Sequence, residues 1–91
     1  MDVKEAVVAA KDYVAKVFDD EGIRDVGLEA VEFDDARNEW RVTIGFSRAW
    51  ENPAAPLQAF ADIPRRRVYK VVHISESDKK PTAIRPYERA A

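Results

Sequence analysis

Arg65-Arg66-Arg67 is the densest run of positive charge in the chain, and Tyr69 follows it by two residues. Lys70, Lys79, Lys80 and Arg85 extend the charge. Guanidinium forks beside an aromatic ring suit an anionic partner, and the same pairing occurs where single-stranded nucleic acid stacks on a sheet. Upstream, Trp50 and Phe60 lie in a proline-interrupted stretch. Aromatic residues next to arginines are the composition of a protein–protein hot spot. Trp50, Phe60, Arg65, Arg66, Arg67 and Tyr69 are therefore the candidate partner-binding residues. Nucleic acid ranks below protein as the partner, because the chain is acidic overall, with a net charge of −2, and lacks the RRM aromatic signature.

Catalytic chemistry has little to work with. His73 is the single histidine and falls mid-strand. A triad needs a strained nucleophile turn, and no G-x-S-x-G pattern exists. Ser75 and Ser77 fall in a polar turn. With no cysteine there is no thiolate nucleophile, no thiolate zinc site and no disulfide framework. Asp19-Asp20-Glu21 and Asp34-Asp35 are acidic clusters. Aligning Gly22 or Gly27 with the glycine of a calcium loop puts Val17 or Gly22 where the first carboxylate belongs, so that motif fails. The three glycines form no phosphate-cradling loop. The expectation is a protein that is not an enzyme and uses no metal and no cofactor.

The elements that must position these residues are organised around Trp40 to Phe46. Trp40, Val42, Ile44 and Phe46 alternate with Arg41, Thr43 and Gly45, which predicts a strand with one apolar and one polar face. Before it, Asp2 to about Asp20 reads as a helix. Val3, Ala6, Val7, Ala10, Tyr13, Val14, Val17 and Phe18 share one stripe at 100° per residue. Asp2 and Glu5 form a capping-box pattern, and Gly22 is a natural stop. Val26 to Phe33 is the first strand. Its alternation is unclean, which leaves either face inward and admits a bulge. Asp34 to Asn38 is a turn joining strands one and two in an antiparallel hairpin.

Pro53, Pro56 and Pro64 interrupt residues 49–64, yet Trp50, Leu57, Phe60 and Ile63 are too apolar for a purely solvated loop. Two readings stand: a packed connection, or a flap with a partner-binding surface. Arg66 to Ile74 is strand three, with Val68, Lys70, Val72 and Ile74 on one face and Tyr69, Val71 and His73 on the other. Ser75 to Lys80 is a turn. Pro81 to Tyr87 is a fourth, edge strand, since its prolines cannot donate to a ladder.

At 91 residues, 46% hydrophobic and 35% charged, the chain reads as one globular domain over residues 1–91. Residues 1–45 carry six Lys/Arg against twelve Asp/Glu, and residues 46–91 carry nine against five. Such asymmetry marks either a partner surface or acidic and basic strands that pair across a sheet. No basic segment precedes an apolar run, and Ala6 to Ala10 is the longest apolar run near the start. No signal peptide, transmembrane helix or membrane partner is expected, and the cytoplasm is the default location.

One amphipathic helix and a meander of half-apolar strands pack best as an α+β fold: an N-terminal helix held on a curved four-stranded antiparallel sheet, in the order α-β-β-β-β. In element order, and in the cadence of VEFDDARNEWRVTIGF and RVYKVVHISESDKKPTAIR, the chain resembles PepSY-like and cystatin-like modules. The resemblance implies a regulatory or inhibitory piece. The expected function is a small interaction or regulatory module that binds a protein partner. A small core with an open sheet edge also favours homodimer formation, by edge pairing or face packing. A small-ligand pocket between helix and sheet and a nucleic-acid accessory role are the alternatives.

Overall fold

The structure, a computed structural model, describes residues 1–48 and 67–87. Asp2 has extended backbone, and its carboxylate accepts the Glu5 N–H at 2.8 Å. That bond satisfies one of the orphan donors at the start of α1, Val3–Val17. Ala6, Ala10 and Val14, spaced by four, are fully buried on one stripe. Val3 and Val17, at the two ends of the predicted stripe, remain 51% and 43% exposed. The two alanines let the helix lie close to the sheet. Its 15 residues span roughly 22 Å, enough to touch all four strands.

The helix stops sooner than its apolar period predicts. Phe18 leaves helical backbone, Asp19–Glu21 tightens into a 3-10 turn, and Gly22 closes it at φ 61°. Three consecutive carboxylates at a helix C-terminus oppose the macrodipole and disfavour a further turn.

Four strands follow: β1 Ile23–Asp34, β2 Glu39–Arg48, β3 Val68–Ser75 and β4 Lys80–Pro86. They form an antiparallel meander in sheet order β1-β2-β3-β4. This is the α+β arrangement that the patterning predicts. The turn after β1 is built by Asp34, whose carboxylate accepts the Ala36 and Arg37 N–H groups at 3.0 and 3.3 Å. Asn38 completes it with φ 53°. After β3, Ser75 Oγ accepts the Asp78 N–H at 3.2 Å, and Lys79 takes φ 56°. Both turns use side chains that substitute for backbone partners.

β1 begins at Ile23, three residues before the predicted start. It keeps pairing by absorbing two irregularities, between Arg24 and Gly27 and between Leu28 and Ala30, with Asp25 at φ 56°. An extra residue flips the alternation, which is why its burial pattern is mixed. β3 begins at Val68 rather than at Arg66, and Arg66 itself lies outside the described residues.

The core is Ala6, Ala10 and Val14 from α1 against Val42, Ile44, Phe46, Val72 and Ile74, all with no exposed surface. The apolar alternation of Trp40 to Phe46 thus faces the helix. Phe18 and Phe46 close one end, with ring centroids 5.2 Å apart. The Arg48 guanidinium lies over both rings at 5.5 and 5.6 Å, and its Nε is 3.1 Å from Glu21 Oε1. The second face of β2 departs from the expectation of a polar, solvated side. Thr43, Gly45 and Ser47 are buried too. Their side chains are short enough to lie low on the sheet, and the Arg67 and Tyr69 side chains reach over Gly45.

Candidate interaction face

The sheet face opposite α1 is assembled by register. Glu32, Arg41, His73 and Ala83 form one row across the four strands, and Ala30, Thr43, Val71 and Arg85 form the next. Gly45 pairs with Tyr69 in the following row, and the Tyr87 N–H donates to the Tyr69 carbonyl at 3.2 Å. Small residues therefore occupy the middle of the face, and long ones stand around them. The result is a shallow hollow of about 640 Å³ over Ala30, Thr43 and Val71, bounded by Arg41, His73 and Arg85. It continues into a second of about 510 Å³ between Glu29, Tyr69 and Tyr87.

Tyr69 and Tyr87 are 38% and 47% exposed, with ring centroids 6.3 Å apart at 60°. An edge-to-face pair of this kind presents apolar ring surface with two phenol groups at its margin.

The charges on this face are mostly engaged with one another. Arg41 pairs with Asp34, lies 3.6 Å from Glu32 and 3.8 Å from Glu39. His73 Nδ1 is 3.2 Å from Glu39 Oε1. Arg67 Nη2 donates to the Asp25 carbonyl at 3.0 Å and lies 3.9 Å from Glu29. Arg85 is exposed and makes no ion pair among the described residues. The Arg41 pairs lie within the acidic half of the sequence, and among the described residues on this face only Arg67–Glu29 and His73–Glu39 join the basic half to the acidic one.

Of the six residues singled out in the sequence, Arg67 and Tyr69 fall on this face. Trp50, Phe60, Arg65 and Arg66 lie outside the described residues, as does the choice between flap and packed connection for residues 49–64. Among the described residues, the longer cationic cluster does not assemble as a unit. Lys70 shares the helix-facing row with Ile44, and Lys79 and Lys80 lie at the far end of β3 and β4. Sequence reasoning passed over Tyr87 and Ala30, and noted Arg85 only as charge. The alternation Ala83, Arg85, Tyr87 was the available signal, but it needs the β3–β4 register to place it beside Tyr69.

The other candidates resolve into structural roles. Asp34 caps its turn and pairs with Arg41. Glu21 pairs with Arg48. Ser77 Oγ accepts from Asn38 Nδ2 at 3.0 Å. Among the described residues, no group of three or more His, Asp or Glu is placed to hold a metal ion, and no hydroxyl hydrogen-bonds the His73 ring. No described helix is long and apolar enough to cross a membrane. No protein-family model, no curated protein and no solved structure matches this chain.

Proposed function

We propose that this chain is a small non-catalytic interaction or regulatory module that binds a protein partner through the sheet face opposite its helix. The observation that carries this reading is the exposed Tyr69–Tyr87 pair beside Arg85, standing over a floor of Ala30, Thr43 and Val71. Tyrosine and arginine around a small-residue floor make a surface that a partner's side chains fill, with aromatic area contributing most of the affinity. The likeness of its element order to PepSY-like and cystatin-like modules supports the same reading.

A ligand pocket between helix and sheet draws less support. The core side chains between α1 and the sheet have no exposed surface, and the two hollows described above lie on the other face. Nucleic acid draws less as well, since Glu29, Glu32, Asp34 and Glu39 balance most of the cations on that face. The test is site-specific photo-crosslinking in cells. A photoreactive residue at Tyr87 is expected to capture protein, whereas one at Val8, 54% exposed on the helix, is not. No capture at Tyr87, or equal capture from both positions, would overturn the proposal.

A further inference from the structure

The face just described carries opposite charge on its two margins. The β1 margin presents the exposed carboxylates Glu29 and Glu32, which lie 3.9 Å from Arg67 and 3.6 Å from Arg41 without hydrogen-bonding them and so keep oxygens open to a second cation. The β4 margin presents Arg85 and the Tyr87 phenol, with Tyr69 beside it. Two copies packed face to face must be related by a two-fold axis lying between the sheets. An axis running across the strands would stack β1 on β1 and β4 on β4, setting carboxylate on carboxylate and guanidinium on guanidinium. An axis parallel to the strands stacks β1 on β4 and β2 on β3. It also preserves height along the strands, so Arg85 of one copy falls over Ala30 of the other, between that copy's Glu29 and Glu32. The register row Ala30, Thr43, Val71, Arg85 read backwards is then its own counterpart.

Both sheet edges are poorly suited to extending the sheet instead. β1 has two register irregularities and a left-handed Asp25, and β4 carries Pro81 and Pro86. Building on the interaction-face reading, we infer that the partner is a second copy of this chain, docked sheet to sheet with the strands aligned. Arg85 and the two tyrosines of each copy meet Glu29 and Glu32 of the other. The face offers a footprint of about 20 by 20 Å. That is small against the roughly 800 Å² per partner of a standard interface. The dimer is accordingly weak, concentration-dependent and sensitive to salt.

The experiment is sedimentation equilibrium of the full chain from micromolar to millimolar concentration at low salt. The average mass is expected to rise towards twice that of the monomer. Arg85→Glu, and separately the pair Glu29→Lys with Glu32→Lys, are each expected to weaken association by about tenfold or more. An equimolar mixture of these two variants is expected to regain wild-type association, because every reversed charge then meets its complement. That recovery cannot come from variants that fail to fold. A chain that stays monomeric throughout, variants that associate like the wild type, or a mixture that does not recover would each overturn the inference. A monomeric chain that still captures a different protein through Tyr87 would overturn it while leaving the interaction-face reading standing.

Discussion

The indole Nε1–H of Trp40 donates to Glu76 Oε2 at 2.6 Å, while the N-terminal ammonium of Met1 lies 2.8 Å from Oε1 of the same carboxylate. One side chain after β3 thereby ties β2 to the start of the helix. The hydrogen bond from the ammonium, then that from Trp40, hold the Glu76 carboxyl below the usual glutamate range. A carboxylate whose pKa is lowered by folding contributes stability above its unfolded pKa. It loses that contribution as pH falls through the lower folded value. Glu76→Gln is therefore expected to lower Tm by a few degrees at neutral pH. The gap from wild type should hold from neutral pH down to the usual glutamate range and close as pH falls below it. Thermal melts on both sides of the usual glutamate range check it; a gap that widens in acid would refute the assignment.

Arg41 is placed among Glu32, Asp34 and Glu39. Its side chain is 33% exposed, so solvent screens part of each interaction. Arg41→Ala takes the shared cation from three carboxylates and is expected to cost about 1–2 kcal/mol, between surface and buried pairs. Added salt should reduce that cost. Urea unfolding at low and high salt measures both. The same loss in each would mean that packing of the arginine stem, not its charge, was removed.

Gly45 lies under the Arg67 and Tyr69 side chains. A methyl group there would come within 3.0 Å of Arg67 Nη2 and of Tyr69 Cε1, and 3.1 Å of Glu29 Oε1. Gly45→Ala is expected to cost about 1 kcal/mol, since an arginine tip and a glutamate tip yield more easily than backbone. The displaced ring should also disturb the Tyr69–Tyr87 pair. Unfolding measurements give the first quantity, and near-ultraviolet circular dichroism reports the second. A stabilised variant with an unchanged aromatic signal would refute the close packing of Arg67 and Tyr69 over Gly45.

Local signals carried the elements well. Asp2 and Glu5 announced the cap that forms, and Asp34 to Asn38 the turn. The alternation of Trp40 to Phe46 identified the buried row of β2. These features depend on near neighbours in sequence and on the 3.6 and 2 residue periods, so they read directly from the chain. β1 was less legible. Its two irregularities scramble the alternation, and a strand that changes face mid-course shows no single period.

The sequence by itself determined an amphipathic helix, a hairpin centred on Trp40 to Phe46, two further strands and their turns, because each is set by local propensity and side-chain period. Tertiary structure alone decided the face that β2 shares with its neighbours. Placing Tyr87 beside Tyr69, and Arg85 in the same row as Ala30, requires three successive strand pairings, β1 with β2, β2 with β3 and β3 with β4, to keep one common register. Register follows from which rows bury best against α1, a property of the whole sheet that no short stretch contains.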